Sequence, residues 1–433
     1  MSINRKHLLV FGLLLFFLFP LRLIHLSADP PSSLSASAGE YGDPGGYSYN
    51  ARNRVVFGQW TLDEYNPMYV SPLPHYVTYL FFRFFGVGLM QMNFVPVFFA
   101  LLSFFVFFLV ARRQLQAPIL YLGIYLLGIN YLFTLYSRIA NRIMPMIFFL
   151  LLALFLIELG TKEKKWLFLA GMAGTLAYSS KGVCLYILLA YILGLILYLA
   201  FHAEKKDRWV KACYFFSGLG LSFILWYLLA FLPHSEMINA LSRINIPFLV
   251  PPKSFGKMLA HFWTRPSLLF ENLPVLSLLA GIFFFFLLYR IVHNPRRLSL
   301  MEWIMAFWYV GGFTYLAIIE QRVTRHFIPH IIPLLFLSAL LLQNFWKADK
   351  IPKPRKPKVF FGLLLFLWFF FPLSKLVRWI LKSLPPSFSE IWTATLLLPS
   401  TFTSTIFCSA SWANRPSPEP KVIGAEKSKI AER

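Results

Sequence analysis

The sequence predicts an all-α, polytopic membrane protein with about eleven transmembrane helices, in a range of about 10–12. Three observations carry that prediction. Apolar runs recur along the chain, including Phe98 to Val110 and Phe283 to Leu288. Only 14% of the 433 residues are charged and 58% are hydrophobic, too little charge to cover a soluble surface of this size. The 41 Lys and Arg against 18 Asp and Glu fall mostly on alternate connections, as expected when cytoplasmic loops carry the positive charge.

The spans are placed near 8–26, 89–110, 118–135, 142–160, 166–180, 182–201, 210–232, 270–290, 299–318, 327–345 and 358–374, at roughly 20 residues per crossing. Arg5-Lys6, an apolar run and the small residues Ser35 to Gly39 have the layout of a signal peptide. The run from Leu8 to Leu26 is nevertheless long enough to span, so it is read as an uncleaved first helix. With the N-terminus cytoplasmic, the inner connections carry Arg112-Arg113, Lys162 to Lys165, Lys205 to Lys211, Arg290 to Arg297 and the dense run Lys347 to Lys358. Only Ser179-Ser180-Lys181-Gly182 separates the fifth and sixth spans.

Two outer segments are long enough to hold structure, 27–88 and 233–269. The first opens on a Pro/Ser/Ala stretch and continues as two half-apolar pieces, 44–58 and 73–86. In the second piece Tyr76, Leu80, Phe84 and Phe85 recur near helical spacing, which suits helices lying in the membrane interface. Residues 1–374 then form one transmembrane domain, and 375–433 a tail. Within the tail, Lys375, Arg378 and Lys382 punctuate apolar sequence, and 391–407 reads as an extra span, an interfacial helix or irregular structure. The last residues are polar, as in disordered termini.

Several functions are excluded. The net charge of +23 would suggest nucleic acid in a soluble chain, but no basic stripe lies on a soluble domain here. Cys184, Cys213 and Cys408 show no metal or disulfide spacing and read as buried thiols. There is no DxD or HExxH, so no metal is implied.

A minority of cations break the charge rule. Arg138, Arg142, Lys181, Arg322 and Arg325 sit at helix ends that face outward. On the same side runs Gly42-Asp43-Pro44-Gly45-Gly46-Tyr47. Basic groups at membrane depth are costly and mark function. Cations gathered beside one carboxylate suit an anionic, membrane-borne substrate such as a lipid phosphate. Each also has a plainer reading: Arg138 and Arg142 as snorkelling side chains, Arg322 and Arg325 as ordinary loop charges, and His75, His326 and His330 as hydrogen-bonded structural residues. Arg22, near the outer end of the first helix, fits either description.

The order of residues after Asp43 adds to this. Tyr47, Ala51-Arg52, Gly58-Gln59-Trp60, Asn66-Pro67 and Ser71-Pro72-Leu73-Pro74-His75-Tyr76 follow in turn. Tyr136-Ser137-Arg138-Ile139-Ala140-Asn141-Arg142, Gly174 to Gly182 with Lys181, and Arg325-His326-Phe327-Ile328-Pro329 come later. This succession resembles the GT-C glycosyltransferases, and more narrowly the protein mannosyltransferase and lipid A aminoarabinose transferase group. It covers about residues 8–345. Three positions depart from the group's pattern: its acidic pair is Asp43-Pro44 here, Asn141 stands where many members have an acid, and His326 replaces a Tyr.

The resemblance implies an enzyme of the bacterial inner (plasma) membrane with its active site facing outward. It would move a sugar, with inversion, from a polyprenyl-phosphate donor to a hydroxyl of a glycan, lipid or protein acceptor. Asp43 would be the general base, and Tyr47, Arg52, Arg138, Arg142, Lys181, Arg322, Arg325 and His326 would bind substrate. Beyond the donor lipid and membrane lipids, no cofactor is implied. The chemistry agrees with these residue types: one carboxylate deprotonates the acceptor, and fixed cations stabilise the leaving phosphate. A transporter or lipid flippase, or a scaffold, would use the same membrane frame, but a transporter places its charges near mid-span.

Overall fold

A computed structural model describes residues 5–24, 26–27, 42–60, 68–69, 71–236, 238–239, 273–318 and 324–347, and of residues 42–46, 317–318, 324–325 and 345–347 it describes the backbone alone. All regular elements among them are helical. In chain order these are α1 (Arg5–Leu18), α2 (Pro20–Leu23), α3 (Gly42–Phe57), α4 (Pro72–Phe85), α5 (Leu89–Ala111), α6 (Ala117–Ile129) and α7 (Tyr131–Tyr136). After them come α8 (Ile143–Gly160), α9 (Lys165–Ser180), α10 (Leu185–His202), α11 (Lys205–Trp226), α12 (Pro274–His293), α13 (Leu300–Ile318) and α14 (Ile328–Lys347). The expected span at 358–374, the tail 375–433, Arg322 and most of the second outer segment lie outside the described residues.

Helices dominate because a chain this apolar must satisfy its backbone polar groups internally. Among the described residues, six stretches are long and apolar enough to cross a bilayer: Arg5–Leu23, Leu89–Ala111, Ile143–Gly160, Gly182–His202, Lys205–His234 and Pro274–His293. Ala117–Ile129 and Ile328–Asn344 are apolar but shorter. The segments expected to lie in the interface form α3 and α4.

Two expected spans are broken. In the first, Pro20 begins a new short helix, α2, directly after α1. In the third, Asn130 leaves the helical region and its side chain accepts from Phe133 N at 3.0 Å, starting α7. That frees the carbonyl of Gly128, which the buried Arg22 takes up through Nη2 at 2.9 Å. Arg22 also donates to Leu18 O at 2.7 Å and lies 4.9 Å from the Phe104 ring centroid. One side chain thus seals both breaks, which settles Arg22 as structural.

α5, α8, α9 and α11 pack in succession, α10 packs on α13, and α14 packs on α6, α12 and α13. The α9–α11 contact is backbone to backbone: a Cβ at Gly171 or Gly218 would run into Phe215 O or Phe168 O of the partner helix, the close approach that small residues permit between membrane helices. Ser222 Oγ donates to Thr175 Oγ1 across it at 2.8 Å. The core is aromatic, with Phe104 against Phe133 and Phe107 against Phe336 at 5.5 and 5.3 Å. Cys184 is buried as expected; Cys213 is exposed, because it lies on the outward face of α11.

At one end of the bundle the basic connections are tied together. Arg113 pairs with Glu158 at 3.1 Å. Gln114 bonds Glu158, and Gln343 bonds both Gln114 O and Gln116 N. Lys211 joins Asp207 and Thr161 O, and Arg290 pairs with Glu302. The five connections grouped by charge in the sequence therefore include at least three that cluster around acids. The opposite ends of the same helices build the candidate site.

Candidate active site

Asp43 lies in the first turn of α3. An acid is favoured there by the helix dipole, and Pro44 costs little because the first amides of a helix lack partners anyway. One turn on, α3 becomes buried: Tyr47, Ser48, Asn50 and Ala51 all face inward. Ser48 Oγ contacts Met92 Sδ at 2.8 Å, and Ala51 packs with Phe82, Met92 and Ala140. Trp60, after the helix, sits against Tyr76 and Tyr79 with ring centroids 5.3 and 5.4 Å away. These contacts fasten α3 to α4, which itself packs on α5 and α9.

Arg142 joins the two helices. Its Nη1 donates to Ser71 Oγ at 2.7 Å, at the start of α4, and its guanidinium lies 4.5 Å from the Tyr47 ring centroid on α3. The position of Arg142 is set by Asn141. The Asn141 side chain accepts from Ile143 N at 2.8 Å and from Met144 N, starting α8, while its amide donates to Tyr136 O and Ile139 O. An aspartate could accept from the two amides but could not donate to the two carbonyls. The amide at this position is therefore a structural requirement of this chain rather than a damaged acid.

Arg138 is half-buried and donates to Ile24 O. Burial lowers its pKa from the ordinary value, although a guanidinium keeps its charge. Asn93 completes the junction, donating to Leu26 O and accepting from Ala140 N, both at 3.0 Å. Lys181 is the residue that ends α9; its amide donates to Ala177 O at 3.1 Å, its backbone is extended, and its side chain is half-buried. Arg325 and His326 lie in a short 3-10 turn, Thr324–Phe327, that packs beside α7. The His326 ring faces Tyr315 at 5.9 Å, Tyr315 stacks on Tyr186 at 4.7 Å, and Tyr186 OH is 3.4 Å from His330 Nε2.

Among the residues singled out in the sequence, Tyr47 and Arg142 are in direct contact. Arg138 follows α7, Lys181 follows α9, Arg325 and His326 lie in the turn beside α7, and Asp43 occupies the helix that carries Tyr47. Arg52 is exposed on α3. Among the described residues no group of three His, Cys, Asp or Glu gathers as a metal site would.

The structure adds residues that were not among the site candidates. Ser71 and Asn93 are ordinary polar residues whose roles depend on long-range contacts. His75, expected to be hydrogen-bonded, is fully buried with neither ring nitrogen partnered among the described residues. Asn50 is equally buried, with both amide atoms unpartnered. Burial, reinforced by the charge of Arg142, pushes the His75 pKa down to about 3, so the imidazole is neutral. Each unpaired buried polar group costs roughly 1–3 kcal/mol, so this corner of the site is held at a cost.

The comparisons with known proteins fit this geometry. Residues 69–234 match the family described as dolichyl-phosphate-mannose-protein mannosyltransferase. Over most of its length the chain is similar in fold to solved structures. Its fold is similar to that of ArnT from Cupriavidus metallidurans bound to undecaprenyl phosphate, with a TM-score of 0.56 and 17% identity over 79% of this chain and 60% of that one. It is also similar to the Archaeoglobus fulgidus oligosaccharyltransferase, with a TM-score of 0.55 and 15% identity over 78% of this chain and 50% of that one. An uncharacterized protein of Aquifex aeolicus is 24% identical over 335 residues, 74% of this chain and 61% of its own length. The chain therefore spans only about 50–61% of the length of these proteins. The matched family segment includes Ser71, Arg138, Arg142 and Lys181; Asp43 and Arg325 lie outside it.

Proposed function

We propose that this chain is an inverting glycosyltransferase that moves a sugar from a polyprenyl-phosphate donor to an acceptor hydroxyl at the outer face of a bacterial inner membrane. The observation that carries the proposal is Arg142, held between Tyr47 of α3 and Ser71 of α4. It places a fixed cation at the junction between the helix of Asp43 and the membrane bundle. Arg138, Lys181 and Arg325 supply further positive charge on adjoining elements.

The reaction divides between these groups. The Asp43 carboxylate takes the proton of the acceptor hydroxyl as its oxygen attacks the anomeric carbon. The bond from that carbon to the phosphate oxygen breaks on the opposite side, which inverts the centre. The electron pair leaves with the polyprenyl phosphate, whose charge the cations stabilise. Such cations act most strongly in a site shielded from water, and the half-burial of Arg138, Arg142 and Lys181 suits that requirement. Within this proposal the acceptor is a glycan, a lipid or a protein, and the outward orientation rests on the charge distribution of the connections.

A transporter reading draws on the broken helices, since unwound carbonyls can coordinate ions. The observed breaks lie near helix ends, and Arg22 occupies the freed Gly128 carbonyl. They are therefore poor ion sites. The deciding experiment is transfer of label from a panel of polyprenyl-phosphate sugars by membranes containing the chain. Transfer that disappears in Asp43→Asn supports the proposal. No transfer from any member of the panel, or equal transfer by wild type and Asp43→Asn, would refute it.

A further inference from the structure

The arginines and lysine of the site can only donate hydrogen bonds, which suits a phosphate. Asn50 and His75 are of another chemical type. Both are fully buried, and all four of their polar side-chain atoms lack a partner among the described residues. Their positions are related through Arg142. Asn50 lies three residues after Tyr47 on α3, and His75 lies four residues after Ser71 on α4. Each is therefore on the same helix face as, and about one turn beyond, a residue that Arg142 touches.

A neutral amide and a neutral imidazole each offer both a donor and an acceptor. An anionic oxygen would meet the Asn50 carbonyl oxygen and the imidazole lone pair unfavourably. A hydroxyl, itself donor and acceptor, satisfies both groups. We propose that Asn50 and His75 form an uncharged subsite that takes hydroxyl groups of the donor's sugar, next to the cations that take its phosphate. The subsite rests on the glycosyltransferase reading and deepens it by giving recognition of the sugar to residues separate from those that hold the lipid phosphate. Filling it restores hydrogen bonds that the closed α3–α4 contact leaves unmade, so the sugar is read by groups that are penalised when it is missing.

The test uses the full-length protein in lipid nanodiscs and two sets of probes: undecaprenyl phosphate without sugar, and undecaprenyl phosphate carrying mannose, glucose or N-acetylglucosamine. Wild type should bind at least one sugar-bearing lipid about tenfold or more tightly than the sugar-free lipid, a ratio set by one or two good hydrogen bonds. Asn50→Leu and His75→Leu should bring that ratio to within about twofold of unity while the affinity for sugar-free lipid stays within about threefold. His75→Gln, which keeps a donor and an acceptor, should retain most of the preference. If either Leu variant does not fold, Asn50→Asp and His75→Gln decide: Asp, having lost the donor, should lose preference and Gln should keep it. Unchanged ratios in the Leu variants, or equal loss of both kinds of lipid, would overturn the subsite. Wild type that binds undecaprenyl phosphate with no sugar preference would overturn it while leaving the phosphate site standing. Wild type that binds neither lipid would remove both.

Discussion

The two ends of the helix bundle treat their arginines differently. At the end with the short basic loops, Arg113 and Arg290 are paired with Glu158 and Glu302. At the other end, Arg22 and Arg138 are held by carbonyl oxygens, a hydroxyl and an aromatic face. Arg142 contacts Ser71 and Tyr47. A carboxylate cancels the charge it binds, whereas a carbonyl fixes the side chain in place and leaves its charge. Among the described residues, Arg113 and Arg290 are therefore neutralised by acids at one end, whereas the groups that hold Arg138 at the other leave its charge in place. Charge left in place is what an anionic lipid headgroup requires.

The largest expected effect tests the catalytic end. Asp43→Asn should lower transfer by about 10²–10⁴-fold, the usual contribution of a general base, and leave donor binding close to wild type in an equilibrium binding assay. Arg142→Ala should weaken donor binding by about 10–100-fold, the range for a charge-assisted hydrogen bond, and also slow turnover. Equal effects of the two substitutions on binding and on turnover would erase the distinction between base and phosphate cradle.

Asn141→Asp sharpens the comparison from the structural side. The new carboxylate would face the carbonyls of Tyr136 and Ile139, costing about 1–3 kcal/mol in unfolding experiments, with Arg142 displaced as a consequence. His75 gives a dependence on pH. Its folded pKa of about 3 lies below the unfolded value of 6.5, so the unfolded chain binds the extra proton. Stability should be complete above about pH 6.5 and fall by up to about 1.4 kcal/mol per unit as the pH drops toward 3. His75→Gln should remove that slope in thermal melts taken across the same range. The smallest effect belongs to the paired end, where Asp207→Asn breaks an i,i+4 pair and should cost only about 0.3–0.5 kcal/mol.

Much of this architecture can be read in the sequence, because hydrophobic length and loop charge act locally. The spans at 89–110 and 142–160 match α5 and α8 within a residue or two, and α3 and α4 are helical where the half-apolar segments suggested helices. The breaks at Pro20 and Asn130 were not legible in the same way. Pro alone does not say whether a membrane helix bends or stops, and the carbonyl freed where Asn130 caps α7 is taken by Thr134 and by Arg22, 108 positions before Asn130 in the chain. Arg138, Arg142 and Lys181 drew notice in the sequence because a cation on the outer side violates a rule. Arg52 entered through the resemblance instead and is exposed on α3, since a motif position does not reveal which helix face is buried. Asn50, Ser71 and His75 carried no signal of that kind. Polar residues are common in loops, and only the docking of α3 on α4 makes these three buried.

The central claim is that the site end holds a positive field for a lipid phosphate. Its most direct test is the affinity of the purified chain in nanodiscs for undecaprenyl phosphate against undecaprenol, which differ only in the phosphate. The account predicts that the phosphate lipid binds at least about tenfold more tightly, and that the double substitution Arg138→Ala and Arg142→Ala reduces its affinity to that of the alcohol. Equal affinity of the wild-type protein for the two lipids would contradict it.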